Sequence, residues 1–255
     1  NNWTIFLILF VLARVGFNGA NVFYDSMLVD VSPIENRDVV SSYGFAWGYV
    51  GSCIPFIISI AIIIFSGKLK ISSKLATNLS FIITGVWWLV FSIPLIKAYK
   101  QKYFYEGNTQ LNNIVKDTFS ELFSTLKDIL KNKQVLMFLL AFFFYIDGVS
   151  TIINMATAYG QSLGLDANML ILALLMTQFV AFPATLIFAR ASKTVSTTKL
   201  LQICILGYTI ITLFAIQLDK IWEFWLLAFA VGLFQGAVQS LSRSHFSKII
   251  PANES

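Results

Sequence analysis

Seven stretches of this chain stay apolar for long enough to cross a bilayer: 3–24, 39–66, 76–96, 134–158, 168–189, 200–218 and 221–242. Hydrocarbon offers a peptide group no hydrogen-bond partner, so runs of this length must satisfy their backbones internally, as α-helices. Long uninterrupted runs, in place of short alternating ones, also exclude an outer-membrane barrel. The composition agrees: 12% of residues are charged and 57% hydrophobic, whereas a soluble domain carries about a quarter charged residues. The expected fold class is an all-α membrane protein.

The first run carries a charge where lipid disfavours it most. Arg14 lies near its middle, and Asn18, Asn21 and Asp25 follow at steps of four, three and four. At 3.6 residues per turn these four side chains share one face. A charge facing lipid is expensive, so the face is expected to turn toward protein or a water-filled cavity. The fourth run repeats the pattern with Asp147, Thr151 and Asn154. Asp147 falls about half-way along its span, where it suits a proton or cation site, or equally a structural partner for Arg14. The last run carries Gln235 and Gln239 on one face. Substrate or ion pathway residues are therefore expected on the first, fourth and seventh spans.

Small residues recur at helical spacing on two spans: Gly44, Gly48 and Ser52, with Gly51 beside them, and later Gly232 and Gly236. Such bare faces allow a second helix to approach closely. Pro33 should end the first helix, and Asp38 or Ser41 can cap the next. Arg37, Asp38 and Arg243 lie at span ends and are candidates for a gate or loop cluster. His245, the only histidine, is a pH sensor or an ordinary interfacial residue. Cys53 and Cys204 are isolated within apolar runs and suggest neither a disulfide nor a metal site.

Orientation follows from the basic residues. Alternating the sides of the membrane puts Arg37, the seven Lys from Lys97 to Lys133, Arg190, Lys193, Lys199, Arg243 and Lys248 on one face. Only Lys68, Lys70, Lys74 and Lys220 fall on the other. The richer face is cytoplasmic. This places Asn1 outside and Ser255 inside, and it accounts for the net charge of +5 without any nucleic-acid partner. The long polar loop divides the chain into 1–97 with three spans, a cytoplasmic linker 98–133, and 134–255 with four spans. Within the linker Val115, Phe119, Leu122, Leu126 and Ile129 recur at helical spacing. Lys116, Asp117, Glu121, Lys127 and Asp128 lie elsewhere around the wheel, as in a helix lying on the inner membrane surface.

An internal echo adds a fold. Val15-Gly-Phe-Asn-Gly-Ala20 resembles Val231-Gly-Leu-Phe-Gln-Gly-Ala237, and Pro33 matches Pro251. Parallel repeats six helices apart, with every third helix polar, describe the major facilitator superfamily fold. On that reading the chain holds about seven of twelve transmembrane helices, with three missing before Asn1 and two after Ser255. Three motifs sharpen it: Tyr145-Ile-Asp147-Gly148, the run from Arg37-Asp38 through Tyr43-Gly44 and Gly48-Tyr49 to Gly51, and Gly236-Ala-Val-Gln239-Ser-Leu-Ser242-Arg243-Ser244. Together they resemble the vacuole effluxer family, relatives of the autophagy-related amino-acid exporter of fungal vacuoles.

The resemblance implies a secondary transporter with alternating access. It implies export of a small polar solute, with amino acids as the candidate substrate and a proton as the candidate coupling ion. A guanidinium such as Arg14 suits a substrate carboxylate, and Asp147 suits an amino group or a proton. The expected location is a bacterial inner (plasma) membrane, with the lipid bilayer as the principal partner. No phosphate-binding loop, histidine cluster or hydrolase motif occurs, so no ATPase, enzyme, metal or cofactor is expected. A non-transporting scaffold or sensor is the alternative.

Overall fold

A computed structural model describes residues 3–103 and 114–250. The chain runs α1 (Trp3–Ser26), α2 (Leu28–Val31), a 3-10 turn (Ile34–Asn36), α3 (Arg37–Ile64), α4 (Ser73–Ala98), α5 (Ile114–Lys131), α6 (Lys133–Ser162), α7 (Ala167–Ala191), α8 (Thr197–Ala215) and α9 (Ile221–Ile249). There is no strand among the described residues. Seven segments are long and apolar enough to cross a membrane. They coincide with the seven apolar runs to within a few residues, except that α9 continues to Ile249. Pro251 of the internal echo, and the side chains of Val115, Asp117 and Glu121, lie outside the described residues.

The helix ends follow from local chemistry. Ser72, Asn132 and Asp166 cap α4, α6 and α7 by accepting backbone N–H bonds in their first turns. Gly164 takes a positive φ of 77° in the tight turn between α6 and α7, a conformation a side chain would resist. Asp38 and Ser41 do not cap α3, contrary to the sequence expectation. Asn36 occupies the cap position and makes no side-chain cap bond. Both expected caps lie inside the helix and turn toward α9.

The core is a junction of α3, α7 and α9, with α8 laid against α9. Gly236 stands where the three helices meet: a Cβ there would run into the Thr185 hydroxyl and come within 2.8 Å of the Tyr49 ring. One turn earlier, a Cβ on Gly232 would lie 2.9 Å from the Thr177 carbonyl. At Gly48 and Gly51 no neighbour comes within 4 Å, and a Cβ on Gly44 would meet only Tyr24 and Arg243. Two apolar clusters flank the junction. Val149, Leu201, Cys204, Val238 and Leu241 join α6, α8 and α9, and Leu170, Ala173, Phe224 and Ala228 join α7 and α9. The first and third spans sit outside this core: α1 buries none of its residues, and α4 buries only Ala76.

Candidate functional site

The polar residues concentrate at one end of the α3–α9 contact. Many of the hydroxyls, carboxylates and bases there reach across from α3 to α9, about 200 residues away. Ser41 donates to the Ser240 carbonyl at 2.7 Å, and the Ser42 and Ser240 hydroxyls meet at 3.0 Å. Asp38 gathers three donors: the Ser244 hydroxyl at 2.5 Å, the Lys248 ammonium at 2.6 Å and the Thr197 hydroxyl at 2.7 Å. Arg37, almost wholly buried, donates through Nη1 to the Ser247 carbonyl, and its Nε meets no partner among the described residues. Further along, the Tyr49 hydroxyl donates to Gln239 at 3.2 Å. Serines in an apolar helix are tolerated because their hydroxyls also bond back along the helix, as Ser242 does to the Val238 carbonyl.

Arg243 links this seam to the first span. Its Nη1 lies 3.3 Å from Asp25, its Nε donates to the Ser41 hydroxyl at 3.0 Å, and its Nη2 reaches the Ser41 carbonyl at 3.4 Å. The guanidinium is also 5.0 Å from the ring centroids of Tyr24 and Phe45. Two rings and three polar contacts hold the planar fork in one orientation. A third carboxylate, Asp30, is buried just beyond α1. It accepts the Tyr99 hydroxyl and the backbone N–H groups of Lys102 at 2.8 Å and Tyr103 at 3.0 Å. Burial, and then Asp30 itself, push the Tyr99 phenol up to about 12, so it remains a donor at neutral pH. The chain leaving α4 is thereby fastened to the end of α1.

Around the Asp25–Arg243 pair lies a cavity of ≈ 720 Å³ enclosed mainly by α1, α6 and α9, its α9 wall running from Gln239 to Ile250. Asn21, Asp25 and Gln239 line it together with Arg243, Phe142 and Ile146. Thr151 and Gln235 line a smaller cavity of ≈ 210 Å³ between α6, α7, α8 and α9. Arg14, Asn18, Asp147 and Asn154 border neither cavity and are exposed on the surface of the described residues. Asn154 bonds only back to the Ser150 carbonyl. Arg14 and Asp147 do not pair with each other. The ion pairs among the described residues are Asp25–Arg243, Asp38–Lys248 and Asp128–Lys131. The physical reason is placement, since α1 buries none of its side chains among the described residues. His245 packs its ring edge on Phe138, with 4.9 Å between centroids.

Sequence reasoning missed Ser41, Ser42, Ser240, Ser244, Thr197 and Lys248. A signal was present: Ser240, Ser242, Ser244 and Ser247 crowd one end of an otherwise apolar span, and such residues need partners in lipid.

Seven apolar helices, with polar groups gathered in a seam and a cavity between them, define an integral multi-pass, all-helical membrane protein. The chain belongs to the family described as Vacuole effluxer Atg22 like, whose model matches residues 29–255. It is 42% identical over 258 residues to the uncharacterized MFS-type transporter YxiO of Bacillus subtilis, covering 99% of this chain and 60% of the relative. It is 25% identical over 251 residues to Autophagy-related protein 22 of Botryotinia fuckeliana, covering 87% and 42%. To Autophagy-related protein 22 of Yarrowia lipolytica it is 29% identical over 240 residues, covering 83% and 40%. The chain thus spans 60% or less of the length of these curated relatives. No solved structure matches it.

Proposed function

We propose that the full protein is a secondary transporter that works by alternating access and exports a small polar solute, with amino acids as the leading substrate class. Residues 1–97 and 134–255 belong to two halves that rock about the α3–α7–α9 junction, joined by the linker 98–133. The observation that carries this reading is the cavity between α1, α6 and α9, with the Asp25–Arg243 pair in its wall and the Asp38 cluster beside it. Packed helices with polar contacts between them can part and re-form by rigid-body rocking. Positive charge on that end makes it the cytoplasmic side, so the cavity lies in the cytoplasmic part of these helices. Arg14 and Arg243 suit a carboxylate and Asp25 or Asp147 an ammonium, and either acid could carry a coupling proton. The Bacillus relative supports a bacterial plasma membrane. The family and the relatives' names favour transport over catalysis.

The test uses full-length protein in liposomes loaded with mixed amino acids, with and without an imposed proton gradient. Selective release of a few amino acids, lost in Arg14→Gln and in Arg243→Gln, is the expected result. Release of none, from folded protein, overturns the substrate class. Release indifferent to both arginines overturns the assigned pathway.

A further inference from the structure

Outside the seven spans, α5 carries a run of exposed apolar side chains, and they are ordered. Phe119, Leu122, Phe123, Leu126 and Leu130 are each at least half exposed. At 100° per residue they occupy an arc of about 100°. Two lysines of the same helix, Lys116 and Lys127, fall on one border of that arc, about 65–85° from its centre, and Lys131 lies farther round, about 125° from it. Asp128 lies about 180° from the centre, and its pair with Lys131 at 2.8 Å is fully on the surface. Charge on this helix is therefore sorted, with bases beside the apolar stripe and an acid opposite it.

Connectivity fixes where this helix must be. Only Asn132 separates α5 from α6, and its side chain accepts from the backbone of Gln134 at 3.2 Å and Val135 at 3.3 Å, starting the new helix at once. Because α6 crosses the membrane, the end of α5 is held at the membrane surface. Beyond the elbow the exposed apolar surface continues through Met137, Leu140, Phe143 and Phe144 of α6.

We propose that α5 lies in the plane of the cytoplasmic membrane surface, its apolar stripe sunk among the acyl chains. Lys116 and Lys127 contact lipid phosphates along one edge. The occupant of this face is the anionic bilayer, not a soluble protein. A basic border suits it because lysine stems lie along apolar surface while their heads reach the phosphate layer, each contributing attraction to an anionic leaflet.

The test is spin labelling of the full-length protein in vesicles, with a nitroxide at Leu126 or at Asp128 and its access to oxygen and to a water-soluble nickel complex compared. Both positions are exposed, so the label leaves packing intact. The expected result is oxygen access at Leu126 and nickel access at Asp128. Nickel access at Leu126, or access by neither reagent because protein covers the stripe, overturns the proposal. In phosphatidylcholine vesicles, adding phosphatidylglycerol should raise the oxygen-to-nickel ratio at Leu126 several-fold. That rise should vanish in K116Q/K127Q, and its persistence there overturns the lysine contacts. Neither readout depends on transport, so failure here is distinct from failure of the transporter reading.

Discussion

Asp25 and Asp38 both meet a base on α9, yet they sit in different media. Asp38 is 7% exposed and receives three donors, while the Asp25 side chain is 52% exposed and has Arg243 alone. Removing one member of a buried charge pair leaves the other uncompensated and costs about 3–5 kcal/mol, whereas a half-exposed pair contributes under about 1 kcal/mol. Asp38→Asn should therefore lower the unfolding temperature of the detergent-purified protein well below that of Asp25→Asn. Equal losses would mean that the two pairs share one environment. Arg243 makes a different demand, because its fork spans Asp25 and Ser41 while its plane lies between two rings. Arg243→Lys keeps the charge and loses that geometry, and it should impair solute release as severely as Arg243→Gln; near-normal release from the lysine variant would show that charge alone suffices. The polarity of these positions was legible in the sequence, and their pairing was not. Helical periodicity puts Asp25 on a face, but nothing in periodicity says that its base lies on α9 in preference to Asp147's helix.

At the scale of helices the seven spans are legible in the sequence to within a few residues, because lipid leaves a long apolar run no alternative to a helix. The exceptions are polar ends. The run ending at 242 was cut short by Arg243 and the surrounding serines, yet α9 continues to Ile249, since α3 and α8 supply partners for those groups. Glycine spacing marked both candidate faces without distinguishing them. Gly236 lies against Thr185 and Tyr49, and Gly48 faces open space. Gly236→Ala should therefore cost about 1–3 kcal/mol through overpacking. Gly48→Ala should be neutral or stabilise by up to about 1 kcal/mol through helix propensity. Thermal unfolding of the two variants side by side checks this, and a destabilised Gly48→Ala would reveal a neighbour that the described residues do not include.

Among the described residues, α3 is the early span built into the later ones, packing on both α7 and α9, while α1 meets them mainly through the cavity wall from Phe17 onward. The charge within α1 has a consequence for synthesis. Whatever packs on it later, a span enters the bilayer first as a single helix, on its own hydrophobicity. Eight consecutive residues from Ile5 to Leu12 are Ile, Phe, Leu or Val. On an insertion scale they favour the membrane by about 2–5 kcal/mol, and a central arginine opposes it by about 2.5–3.5 kcal/mol. The two nearly cancel, so α1 should partition between inserted and looped-out forms as it leaves the ribosome. Arg14→Leu should raise its inserted fraction to near completion in a glycosylation-mapping assay, and an unchanged fraction would mean that neighbouring spans carry it in. A residue placed for the finished protein thus governs how readily the chain threads into its membrane before any site exists.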